Sequence, residues 1–191
     1  MRTRNTTALA ATMLLGTLAA CSSGTDDQEA TKASPVSTKA PAKASPSPAA
    51  PMPLGTVFTL PVAEDGSITT ATVLGYEQGT IKPQRSADAE FGTKGYVWAA
   101  IELKVCNKKG NLGVTRYPWA LAYTDGTRIE PSGVTYGDFP KPEYPYEATV
   151  KTGDCVRGKT VFPVPGNQRP ERVLYTTDIL PEPAEWAVPA K

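Results

Sequence analysis

The side chains able to do chemistry in this 191-residue chain are few, and histidine is absent altogether. That absence removes the usual general base of Ser/His/Asp and Cys/His nucleophilic sites, and with it the commonest zinc ligand. The acid–base candidates that remain are Asp138, Glu143 and Glu147, within YGDFPKPEYPYE over residues 136–147. Hydrolysis of a glycosidic bond needs two carboxyls in a cleft at controlled separation, so these three define a hydrolase alternative. Acidic side chains in a loop are more often simply solvated. As a calcium site they fall short of the six to eight or so oxygens that ion takes, and no Asp-x-Asp-x-Asp-Gly run supplies more. In TGDCVRGKT, Gly153, Gly158, Lys159 and Thr160 approximate a phosphate loop. The spacer pattern is wrong, however, and the flanking sequence reads as strand with no helix behind it. No metal site and no cofactor are expected, and the chain reads as a non-enzyme.

The same stretch makes a better contact surface than a reaction centre. Tyr136, Phe139, Tyr144 and Tyr146 are interleaved with prolines, which stiffen the backbone. Tyrosine contributes a large contact area and a polar tip at small entropic cost, so this is the candidate binding loop, for a protein or a cell-wall glycan. The plainer alternative is that the loop packs its aromatics over the end of the domain. Lys104, Lys108, Lys109 and Arg116 could form a second, basic patch around NKKGN, a sequence typical of a solvated hairpin tip. With a net charge of +1 and no aromatic residues among those lysines, nucleic acid is not an expected partner.

The elements that must position these residues begin with an export signal. Arg2 and Arg4 precede an uncharged apolar run, TTALAATMLLGTLAA, that ends at Cys21. The run is short of the roughly 20 residues a membrane-spanning helix needs and has the form of a secretory signal over residues 1–20. Leu18-Ala19-Ala20-Cys21 resembles the bacterial lipobox, in which the cysteine thiol receives a diacylglyceryl group and becomes the first residue of the mature chain. Cys21 is thus the expected lipidation site, carrying palmitate-type acyl chains. Two such chains hold a protein stably at about 0.8 kcal/mol per buried methylene. Residues 21–52 are rich in Pro, Ala, Ser and Lys and hold almost no large apolar side chain, the composition of a disordered linker. Its reach would be about 30 Å as a flexible coil and about 95 Å if fully polyproline-like. The expected location is the extracytoplasmic face of a cell membrane, with the membrane contacted through the lipid.

A globular domain is expected over residues 53–191, long enough for one core. Its periodicity is two. In YVWAAIELKVC, Val97, Ala99, Ile101, Leu103 and Val105 are apolar, whereas Glu102 and Lys104 fall on the other parity, the pattern of a half-buried strand. Trp98 sits on the outer parity and needs cover from a loop or a neighbouring edge. Residues 56–62, 68–74, 118–123, 156–164 and 172–176 also read as strands. Glu64-Asp65-Gly66, Asp125-Gly126 and Pro165-Gly166-Asn167 supply turns, and no long amphipathic helix is evident. Many short strands at this spacing imply a sandwich of two antiparallel sheets, expected to act as a monomer.

Cys106 and Cys155 are the two thiols left after Cys21 is acylated, and an even pair in an oxidising compartment most simply forms one disulfide. Closing the loop between them would contribute about 4 kcal/mol in the chain-entropy model. Strand parity puts Cys106 with Glu102 and Lys104, and Cys155 with Arg157 and Lys159. The bridge is therefore expected on the outer face or rim, joining neighbouring strands rather than the two sheets.

The order WAAIELKVCN, LAYTDGTRIEP, TGDCVRGKTVFPVP, RVLYT and AEWAV resembles a domain of unknown function common in lipoproteins of Gram-positive bacteria, related to the mycobacterial secreted-antigen fold. The resemblance spans roughly residues 55–188. It implies an immunoglobulin-like β-sandwich and an extracellular binding or accessory role, and it carries over no catalytic residue.

Overall fold

The computed structural model describes residues 50–190. The expected signal peptide, the lipidation site Cys21 and almost all of the expected linker lie outside the described residues.

The described residues run through ten strands and one short helix: β1 (Phe58–Thr59), β2 (Ile68–Ile81), α1 (Ala87–Phe91), β3 (Tyr96–Lys109), β4 (Leu112–Thr115), β5 (Trp119–Ala122), β6 (Arg128–Ile129), β7 (Glu147–Val150), β8 (Cys155–Pro165), β9 (Arg172–Tyr175) and β10 (Ala184–Ala187). They form two four-stranded sheets, ordered β1-β2-β3-β8 and β10-β9-β5-β6, and a two-stranded sheet β4-β7. All pairings between strands are antiparallel. The protein is an all-β antiparallel sandwich, and Met52, the last residue of the expected linker, pairs with Trp186, its amide donating to the Glu185 carbonyl at 2.9 Å.

Period-two patterning decides which side chains meet between the sheets. Ala99, Ile101, Leu103 and Val105 of β3 point inward with Phe162 and Val164 of β8, against Trp119, Leu121, Val173 and Trp186 of the second sheet. Val114 and Val150 bring the small β4-β7 sheet into the same core. The expected strand at 68–74 continues to Ile81, its pairing with β3 shifting register at Ile68/Thr69, Val73/Gly75 and Gln78/Ile81. The second shift moves the inward-facing set from Ala71 and Val73 to Tyr76. The expected strand at 56–62 narrows to two residues, and β4 and β7 are additions that short, weakly apolar segments do not announce.

Strands β3 and β8 stay in unbroken register from Tyr96↔Pro165 to Cys106↔Cys155. Cys106 and Cys155 are bonded directly across this pair, on the outer face and within one sheet. The hairpin between β5 and β6 turns at Asp125-Gly126, where Gly126 has φ 86° and the Asp125 carboxylate accepts the Thr127 amide at 2.9 Å.

The same strand parity creates a second apolar cluster. Trp98, Ala100 and Val161 face away from the sandwich core, yet each is buried, covered by Ala87 of α1 and by Phe139. The 82–95 segment between β2 and β3 and the 130–146 segment between β6 and β7 thus lie over the outer face of the first sheet. There they meet.

Candidate functional site

Trp98 holds the covering layer together. Its ring packs edge-on against Phe139 at 4.9 Å and Phe91 at 5.9 Å, and Phe139 in turn packs on Tyr136 at 5.2 Å. Its indole N–H donates to the Arg85 carbonyl at 3.0 Å. One side chain thereby fixes both covering segments, satisfying the polar end of a buried tryptophan as it does so.

The 82–95 segment carries its own local order. Ser86 caps α1, its hydroxyl accepting from the Ala89 amide at 3.2 Å, and Gly92 ends it in the left-handed conformation. The Asp88 carboxylate accepts from the Gly95 and Tyr96 amides at 3.1 and 2.7 Å, fastening the helix to the start of β3.

The 130–146 segment is pinned along the open edge of β8. The Ser132 amide donates to the Val161 carbonyl, the Tyr144 amide to the Lys159 carbonyl, and the Lys159 amide to the Pro142 carbonyl, each at 2.8 Å. These bonds occupy the edge of the first sheet, which would otherwise present unpaired backbone groups. Close approach requires Gly158, where a Cβ would stand 2.6 Å from the Glu143 carbonyl oxygen. Of the glycines in TGDCVRGKT, Gly158 therefore serves close packing and needs no phosphate to explain it, and Gly153 serves the turn ahead of β8 at φ 89°. Beneath the loop, Arg116 is only 3% exposed. Its Nε donates to the Tyr144 carbonyl at 2.7 Å, its guanidinium lies 3.9 Å from the centre of the Tyr146 ring, and it stands 4.0 Å from Glu143.

The expected site residues separate accordingly. Phe139 and Tyr144 are 2% and 1% exposed, Phe139 in the outer cluster and Tyr144 in the sandwich core. They are structural, because the outward apolar patch on β3 and β8 and the edge of the sandwich both need covering. Tyr136 is half-buried and Tyr146 is 37% exposed, so these two keep a surface. A four-aromatic contact face is not formed. Arg116 likewise leaves the expected basic patch for the interior, while Lys104, Lys108 and Lys109 stay exposed.

Where the two covering segments meet, they leave an open groove of about 800 Å³, lined by Pro83, Gln84, Arg85, Ala89, Tyr136 and Asp138 among others. Two contacts join its walls. The Gln84 amide donates to Asp138 Oδ2 at 2.6 Å, and the Tyr136 hydroxyl donates to the Glu90 carboxylate, which also accepts from Arg85. The Tyr136 hydrogen bond, above all, holds the Glu90 carboxyl below the usual range against the opposing effect of burial, and Arg85 adds to it. For Glu143, burial pushes the carboxyl up, and hydrogen bonds from Thr135 and Lys141 together with nearby positive charge outweigh it, so the net shift is downward. Glu147 begins β7 as an exposed residue. Among the described residues no group of three or more Cys, Asp or Glu side chains is placed to hold a metal ion.

Gln84, Arg85 and Glu90 went unrecognised in the sequence. The available signal was SADAEFG, a serine cap and a closing glycine around one turn of helix, which is too short to show a period.

No protein-family model matches the chain, and no curated protein matches it. Among solved structures it is similar to the secreted protein MPT63 of Mycobacterium tuberculosis, at 19% identity and a TM-score of 0.54, over 73% of this chain and 98% of that one. It is also similar to the YjhA protein of Bacillus subtilis, at 14% identity and a TM-score of 0.45, over 65% and 79% of the two chains. A B. subtilis lipoprotein candidate, YcdA, aligns at 15% identity and a TM-score of 0.44, over 63% of this chain and 36% of that one. The likeness to MPT63 shows the sandwich fold.

Proposed function

We propose that this chain is a lipid-tethered, extracytoplasmic recognition module that binds without catalysing, and that its contact surface is the groove between the 82–95 and 130–146 segments. The compartment rests on the export signal and Cys21 of the sequence, and a disulfide between Cys106 and Cys155 accords with it, since such bonds persist where thiols are not kept reduced. The observation that carries the binding role is the state of the acidic groups. A glycosidase holds one carboxylic acid protonated near neutral pH, which requires a raised pKa. Glu90 and Glu143 are shifted the opposite way by their hydrogen-bond donors, and Asp138 accepts from a backbone amide. Glu90 and Asp138 join the walls of the groove, while Glu143 is taken up by Thr135 and Lys141 outside its lining, so the groove is left a surface for holding.

A photocrosslinking side chain at the exposed Gly137, in intact cells, tests the reading. Capture of a discrete partner is expected, lost when Cys21→Ala releases the chain from the membrane fraction. The envelope-polymer hydrolase is the competing reading. Release of soluble fragments from isolated cell wall by the purified chain, abolished by Glu143→Gln, would replace the binding role with catalysis.

A further inference from the structure

Given that the groove is the contact surface, we infer that it takes a neutral, polyhydroxylated ligand, a saccharide chain. The inference deepens the binding role and depends on it. Charge is the first argument. Arg85 Nε pairs with Glu90 and Arg85 Nη2 donates to the Ala89 carbonyl at 3.0 Å, so its charge is already compensated. Asp138 accepts the Gln84 backbone amide through Oδ2, a neutral donor that leaves its negative charge in place to repel an anion. A groove built for an anionic polymer would keep uncompensated positive charge to attract it. This one has none to spare.

Shape chemistry is the second argument. Protein partners are held mainly by large apolar or aromatic anchors entering desolvated pockets. The apolar lining here is limited to Pro83, Ala89 and the ring of Tyr136, and the nearby edge of β8 is already occupied by residues 132 and 142–144, so no strand can add there. What remains unengaged matches a sugar. Arg85 Nη1 is a spare planar donor and Asp138 Oδ1 a spare acceptor, the pair of functions that vicinal hydroxyls satisfy by accepting from one and donating to the other. Tyr136 lines the same groove, held in place by Phe139 and Glu90, with an apolar ring body to lie against a pyranose.

The test titrates the full chain with chitotetraose, with maltotetraose and with a polyanionic oligosaccharide, following the backbone amides of Gln84 and Gly137 by NMR. The expected result is saturable shifts at these amides with at least one neutral tetrasaccharide. Asp138→Asn, which keeps an oxygen for the Gln84 amide, should weaken that binding by about 10-fold or more. Tyr136→Phe, which keeps the ring, should weaken it less than Tyr136→Ala, and Tyr117→Ala, on an exposed residue outside the groove, should leave it unchanged. No shift with either neutral oligosaccharide up to about 10 mM, a limit corresponding to very weak binding, overturns the inference. So does preference for the polyanion. If crosslinking at Gly137 still captures a protein in that case, the binding role stands and the ligand class alone is wrong; if it captures nothing, the groove is not the contact surface.

Discussion

The described residues form two apolar clusters, one between the sheets and one outside them, and they are built by different rules. The inner cluster is assembled mainly from every second residue of strands in both sheets, with Tyr144 added from the loop along β8. The outer cluster takes the residues of the other parity, Trp98, Ala100 and Val161, and completes itself with side chains from two connecting segments. The inner one defines the fold. The outer one defines a surface, because the segments recruited to cover it are those that frame the groove. A hydrophobic side chain on the solvent parity of a strand is thus a sign that a loop has been enlisted, and loops held on a rigid scaffold carry a disproportionate share of binding residues in proteins generally.

The largest expected effect separates the clusters directly. Trp119→Ala, at the centre of the inner core, should cost about 3–5 kcal/mol and lower the urea midpoint of the whole domain. Trp98→Ala should fall at the lower end of that range, since a covering layer can settle into the space. Its signature should be local: amide exchange accelerating over 82–95 and 131–140 while the β5-β9 amides stay protected. Equal loss of protection in both regions would show that the clusters are one cooperative unit.

Removing the Cys106–Cys155 bond as Cys106→Ser/Cys155→Ser should cost about 2–5 kcal/mol, read from denaturant midpoints against the oxidised wild type. Both thiols should resist alkylation before reduction. Next is Arg116→Met, which keeps the length and loses the charge-assisted donor to the Tyr144 carbonyl. A loss of about 1.5–3 kcal/mol is expected, with Tyr146 becoming more mobile. Gly158→Ala should cost about 1–3 kcal/mol, because a methyl group there collides with backbone rather than with a movable side chain.

The smallest effects come from pH, and they point in opposite directions for the two clusters. Burial pushes the phenols of Tyr123 and Tyr175, both in the inner core, up to about 12. A group whose folded pKa is raised supports the fold fully below its unfolded value, here 10.0, and withdraws that support as pH rises through the folded value. The inner core should therefore weaken on the alkaline side, followed by tyrosinate absorbance alongside circular dichroism. Glu90 is depressed, so its support is full above its ordinary 4.5 and disappears as pH falls through the folded value. The outer layer should loosen first in acid, seen as shifts of the Gln84 and Gly137 amides before any change in the β5-β9 amides. Acid unfolding that begins at β5-β9 would reverse the comparison.

Much of this was legible in the residues. Alternation over 97–105 located the central strand and its buried face, and the same parity placed both cysteines outward, an inference that holds only because β3 and β8 pair without a bulge. It also left Trp98 demanding cover. What supplied that cover was not legible. The aromatic stretch 136–146 read as a contact surface because prolines and tyrosines make one, yet Phe139 and Tyr144 were drawn inward by apolar patches formed elsewhere in the chain. Arg116 read as a surface cation, and its burial depends on a carbonyl 28 residues away.

By itself, then, the sequence determined the all-β alternation, the turn at Asp125-Gly126 and the disulfide pair, since each follows from local composition or from a period of two. Only the tertiary structure decided that β8 would have its edge sealed by a loop, that Gly158 would admit that loop, and that Gln84, Arg85, Tyr136 and Asp138 would line one groove. Those outcomes depend on which surfaces remain uncovered after the strands have paired, and that is a property of the assembled sheets and not of any segment taken alone.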